Sequence, residues 1–148
     1  MGKFKETILK LLFEHSSPSG IALGTAIGVF IAILPVYGLH TVLVIVAAIL
    51  VRPANKVAIL LGTNISLPPT LPFITWAGYE LGRFVLRGDI APLAWTDFKN
   101  ITFEKVAKLY PTLFLGSIIL GIILAIITYF LVFFITRKFK MRTDAARV

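Results

Sequence analysis

Apolar residues come in blocks along this chain, not in an amphipathic rhythm. From Ile21 to Val51 no Lys, Arg, Asp or Glu interrupts 31 residues, and from Val57 to Tyr79 another 23 pass before Glu80. At a helical rise of ~1.5 Å per residue the first run is roughly 46 Å long. That is too long for one passage through an apolar layer of ~30 Å and too short for two passages plus a turn. A break is required, and each run carries one. The first is Leu34-Pro35-Val36-Tyr37-Gly38-Leu39-His40 and the second is Asn64-Ile65-Ser66-Leu67-Pro68-Pro69-Thr70-Leu71-Pro72. Short apolar segments on both sides of each break are the pattern of half-helices meeting inside a bilayer.

The pattern divides the chain into further elements. Phe4, Ile8, Leu11 and Leu12 share one face of an amphipathic surface helix over 3–15, and Ser16-Ser17-Pro18-Ser19 ends it and caps the next. Residues 20–51 form the first broken hairpin, in which Gly20, Gly24 and Gly28 leave one helix face without side chains, a packing seam. Residues 57–87 form the second broken segment. Over 96–109, Phe98, Ile101, Val106 and Leu109 fall on one face of an interfacial helix, with Trp95 just before it. Pro111 suits the first turn of a last helix over 111–137, whose Leu113 to Thr136 stretch spans roughly 36 Å. Ser117, Gly121 and Ala125 make a second small-residue seam in it, suited to the glycine face. A basic tail occupies 138–148. The expected fold is a single all-α integral membrane domain: broken, re-entrant half-helix hairpins, one conventional C-terminal transmembrane helix, and short amphipathic interfacial helices.

Composition agrees with this picture. The 148 residues are 57% hydrophobic and 15% charged, with a mean hydropathy of +0.91. Met1 to Ser19 lacks the short apolar stretch and small-residue site of a cleavable signal, so the N-terminus is expected to be retained. With no cysteine and only His15 and His40, disulfide, thiolate and metal chemistry are not expected, nor is a cofactor. The net charge of +8 comes from bases at the ends of apolar blocks. There they meet anionic lipid headgroups, and nucleic acid is not an expected partner.

The positive-inside rule puts Lys3, Lys5, Lys10, the Arg52/Lys56 turn and the basic tail on the cytoplasmic side, and the neutral 88–109 segment outside. One arrangement makes Ile21–Val51 a re-entrant hairpin, lets Val57–Leu86 cross once as a broken helix, and returns with the last helix. Two re-entrant hairpins satisfy the apolar lengths equally.

A helix broken inside lipid frees backbone groups that lipid cannot satisfy, so the breaks mark the candidate site. New half-helices start at about His40/Thr41 and at about Pro72, and helix starts carry partial positive charge and free N–H groups. Converging, they would favour an anion or a phosphate headgroup, with Tyr37, His40, Thr41, Thr63, Asn64, Ser66 and Thr70 as added donors. The plainer reading of Asn64, Ser66 and Thr70 is that they cap interrupted helices, and of His40 that it is a turn residue at the membrane interface. Glu80, a carboxylate in an apolar helix, needs a partner. Arg83 pairs with it in one reading, and a proton or substrate role is the other.

Ser17-Pro18, the Gly20 to Ile31 run, Leu34-Pro35-Val36-Tyr37-Gly38-Leu39-His40-Thr41, Asn55-Lys56, Leu61-Gly62-Thr63-Asn64-Ile65-Ser66, Pro69 and Tyr79-Glu80-Leu81-Gly82 resemble the DUF2062 family, an uncharacterised prokaryotic membrane family. The chain departs from it at Ser66-Leu67-Pro68-Pro69, where the family pattern has Asn-Pro after the serine. The resemblance implies a multi-pass bacterial inner-membrane protein, in some genomes associated with glycosyltransferases of envelope synthesis, and supplies no activity. The function expected from the residues is a small homo-oligomeric transporter or lipid-handling protein with a polar mid-membrane site for an anionic solute or phosphate-bearing lipid. The alternative is a non-catalytic membrane scaffold for envelope enzymes. An enzyme is not expected, because no nucleophile and base stand at recognisable spacing. Single cysteines placed at Asn55 and Asn100 in the cysteine-free chain are expected to label from opposite faces of the membrane. Labelling from one face would end the crossing scheme.

Overall fold

The computed structural model describes residues 16–36, 38–65, 69–86 and 102–145. The surface helix expected over 3–15, the start of the segment over 96–109, Tyr37 and Ser66 lie outside them. Every described element is helical: α1 (Pro18–Ile33), α2 (His40–Leu50), α3 (Lys56–Gly62) with a 3-10 turn (Thr63–Ile65), α4 (Leu71–Leu86) and α5 (Phe103–Ala145). Both apolar runs are therefore interrupted where the prolines stand.

Local chemistry sets these limits. Ser17 caps α1, its hydroxyl accepting from the Gly20 N–H at 3.1 Å, and Pro18 occupies the first turn, where a missing N–H costs nothing. Pro35 disfavours helix at Leu34, which is extended at φ −65° and ψ 129°. Gly38 then turns the chain with φ +84°, a region that a side chain resists. After α2, Asn55 bolts the return. Its side chain caps α3 by accepting from the Ala58 N–H at 2.8 Å and donates to the Ser16 hydroxyl at 2.6 Å, while its backbone N–H donates to the Gly20 carbonyl at 2.9 Å.

The glycines set the packing. A Cβ on Gly20 would meet the Pro53 carbonyl oxygen, one on Gly24 the Asn55 carbonyl, and one on Gly28 the Ile59 carbonyl and, at 2.8 Å, the Gly62 Cα. Contacts rise together in number, so α1 and α3 run parallel, and α2 joins them in sequence without separating them. A second tight contact joins α4 to α5. Gly82 lies against the Thr112 carbonyl, and Gly116 lies against Gly78 and Gly82. Here the numbers run oppositely, so α4 and α5 are antiparallel. So are α1 and α5: Val132 packs with Ile21 and Ala58, Gly121 faces Phe30, and Tyr110 reaches Pro35. The glycine face of α1 thus meets α3, not the Ser117–Gly121–Ala125 seam. The physical reason is depth, because Gly28 and Gly62 bring main chains together and Ser117 is used against Gly78. Of that seam, Ser117 is 1% exposed, Gly121 meets Phe30, and Ala125 is half-buried.

The separate boundary expected at Pro111 does not exist, since α5 runs through it. The Tyr110–Phe114 ring stack at 5.8 Å holds helical spacing across the proline, and the Glu104–Lys108 pair at 2.9 Å supports the turn before it. The one backbone bond it removes belongs to the carbonyl of Ala107, an exposed residue. The described part of the expected interfacial helix is therefore the first turns of α5, and the tail stays helical to Ala145. Within α5, Ala107–Met141 is long and apolar enough to cross a membrane, and only 6% of its most apolar stretch is buried. α2 has no buried residue.

Replacing Gly28 by Ala is expected to lower stability by about 3 kcal/mol, since the methyl must displace backbone. Gly38→Ala, with open space around it, should cost only about 1–2 kcal/mol of left-handed strain. Thermal unfolding in detergent measures both, and an equal loss would remove the close-packing account.

Candidate functional site at the two helix breaks

The two breaks converge. A cavity of about 20 Å³ is lined by Leu34, Pro35 and His40 from the first break, Leu71, Ile74 and Thr75 from the start of α4, Leu113 and Ser117 from α5, and Ala32 and Ile33 at the end of α1. It has room for about one water molecule. The first residues of α2 and α4, His40 and Leu71, both lie on its wall. Leu39, preceding α2, supplies no side-chain cap for that positive helix end.

Polar groups at the cavity are few. His40 is half-buried, and its Nε2 is buried without a hydrogen-bond partner among the described residues. Leaving such an atom unpaired costs about 1–3 kcal/mol. Thr75 and Ser117 add hydroxyls. The Pro35 carbonyl, freed by the break, accepts from the Tyr110 hydroxyl at 3.2 Å, which ties α5 across the first break. The arrangement offers one imidazole, two hydroxyls and two helix starts around a small apolar-walled space, suited to holding an oxygen of an anionic group.

The sequence candidates divide. His40 lies on the cavity wall. Thr41, beside it, is exposed. Thr63 and Asn64 both donate to the Leu60 carbonyl, at 2.7 and 3.2 Å, and so cap the end of α3 from its exposed side. Thr70 stands before α4, its carbonyl accepting from the Ile74 N–H at 3.0 Å. Glu80 is not on the cavity wall and pairs with Arg83, whose Nε and Nη2 both donate to one carboxylate oxygen at 3.1 and 2.6 Å. Thr75, Ser117 and Tyr110 were not legible as site residues. Thr75 and Ser117 sit inside apolar helix text, and Tyr110 is 75 positions from its partner.

Tyr110→Phe is expected to strand the Pro35 carbonyl and lower stability by about 1 kcal/mol. Thermal unfolding of the purified protein reads this directly, and an unchanged midpoint would mean the bond holds nothing in place.

No curated protein and no solved structure matches the chain. A family model described as an uncharacterized protein conserved in bacteria, DUF2062, matches residues 2–144. Covering nearly the whole sequence, that match makes the chain a member of the DUF2062 family.

Proposed function

We propose that the chain is an inner-membrane protein that binds an anionic, phosphate-bearing lipid at the junction of its two helix breaks. The observation that carries this reading is the meeting of two helix starts at one cavity with the buried His40 Nε2, which has no partner among the described residues. The membrane setting is supported by large apolar side chains left outside the bundle, among them Leu50 at 74% and Phe134 at 62% exposure, which water would penalise and lipid would not. In that setting α1 and α2, roughly 24 and 16 Å long, form the re-entrant hairpin. The α3–α4 pair crosses once as a broken helix, α5 returns, and both termini are cytoplasmic.

A lipid is favoured over a free solute by the size of the space. About 20 Å³ accepts an oxygen or two of a phosphate, and a lipid can leave its chains in the bilayer beside α2. A chain this small encloses little volume, so the working unit is a homo-oligomer, and it is not an enzyme. The rival is a scaffold that anchors envelope enzymes and needs no ligand. It draws support from the narrowness of the cavity and from Thr63 and Asn64 being spent on the Leu60 carbonyl.

Binding of dihexanoyl phosphatidic acid to the detergent-solubilised protein, followed by calorimetry, decides between them. His40→Ala should weaken binding about tenfold, and Asn64→Ala should leave it unchanged. Absence of binding to the unmutated protein, or equal binding by both variants, would favour the scaffold.

A further inference from the structure

The charges of the bundle are sorted by end. Arg52 and Lys56 sit on the turn that lays Pro53 and Asn55 against the start of α1, and Lys56 adjoins Val57. Val57 packs in the same cluster as Ile21 and Val132, and Arg137, Lys138 and Lys140 follow Val132 within a few turns of α5. Cations from two distant parts of the chain therefore meet at one end. All five are exposed, and none has an acidic partner among the described residues. At the opposite end the described side chains pair, Arg83 on Glu80 at 2.6 Å and Lys108 on Glu104 at 2.9 Å.

The fold alone does not explain this gathering. The negative end of the α5 dipole welcomes Arg137, Lys138 and Lys140, but Lys56 is the first residue of α3 and Arg52 precedes it, where the positive helix end disfavours cations. Five like charges at one end repel unless counter-charge comes from beyond the described side chains.

Their height suggests what supplies it. The uncharged stretch of α5 stops at Thr136, and Arg137 to Lys140 follow within roughly 6 Å of helix axis, less than a Debye length of ~8 Å. They would lie in the headgroup layer. We infer that Arg52, Lys56, Arg137, Lys138 and Lys140 form a composite docking surface for the phosphate groups of anionic lipids in one leaflet. The arginines can grip phosphate in a bidentate fork, and the lysines act as point charges. The inference rests on the membrane setting proposed above and is independent of the cavity and its ligand.

The absence of cysteine lets one fluorophore be placed at will. Full-length protein labelled at Ile135→Cys, or at Phe114→Cys near the other end, both exposed positions, is put into nanodiscs of phosphatidylcholine and phosphatidylglycerol. Quenching by brominated chains of either lipid then gives the local preference. At Ile135→Cys phosphatidylglycerol should be favoured about tenfold. The preference should collapse between ~0.1 and ~1 M salt, as the Debye length shrinks from ~10 to ~3 Å, and should be absent at Phe114→Cys. Changing all five bases to Gln should abolish it, and the salt titration of the unsubstituted surface decides the matter if that variant does not fold. Equal quenching by the two lipids at Ile135→Cys, a preference indifferent to salt, or one retained by the Gln variant overturns the inference, equal quenching leaving an acidic protein as the counter-charge. No quenching by either lipid at both positions overturns the membrane setting itself.

Discussion

The carbonyl oxygens of Pro53, Asn55 and Ile59 stand where Gly20, Gly24 and Gly28 would carry side chains, and the rest of the bundle depends on that occupancy. Main chain resting on main chain fixes α3 parallel to α1. It brings Asn55 close enough to hold both Ser16 and the Gly20 carbonyl, and it delivers the chain leaving α3 toward the level where α1 ends, just before Pro35. Only from there can α4 begin beside the first break. The same device is repeated where Gly78 and Gly82 meet Thr112, Gly116 and Ser117. In the proposed lipid setting, burial of apolar surface between helices would offer no net drive, and close contact of small residues, with Cα–H groups against carbonyls, would be what remains to hold them.

Interrupting a helix creates a debt of backbone groups, and the bundle settles most of it internally. Thr63 and Asn64 both use the Leu60 carbonyl, and Tyr110 serves Pro35 from another helix. His40 is the exception, with a buried nitrogen that has no partner among the described residues, at the mouth of a helix. The contrast separates groups that keep the breaks intact from one that takes no part in that bonding among the described residues.

The breaks were legible because proline and glycine act locally. Pro35, Gly38 and the Pro68–Pro69 pair stop helices whatever surrounds them, and the restarts fall at His40 and Leu71. The small-residue seams were legible as seams, but their partners were not. Which face meets which is a property of the assembled helices: Gly62 and Gly116 have no glycine four residues away to mark a stripe, and the Gly78–Gly82 pair does not say which helix it will meet. Pro111 misled for the opposite reason. Its lost bond falls at exposed Ala107 and its neighbours support the helix through Glu104–Lys108 and Tyr110–Phe114, so tertiary context overrode a local rule. Of the candidate polar residues, the sequence could name those near the breaks but not their direction. Thr41 points outward, Asn64 caps, and Thr75 and Ser117 reach the cavity from helices that look uniformly apolar.

α2 is attached by its ends. None of its residues is buried, and Gly38 at its entrance has empty space around it. A helix so placed draws little packing energy from its own protein, so its persistence leans on the medium around it. In the proposed lipid setting, the conformational balance of this segment becomes a function of hydrocarbon thickness and detergent chain length as well as of its sequence.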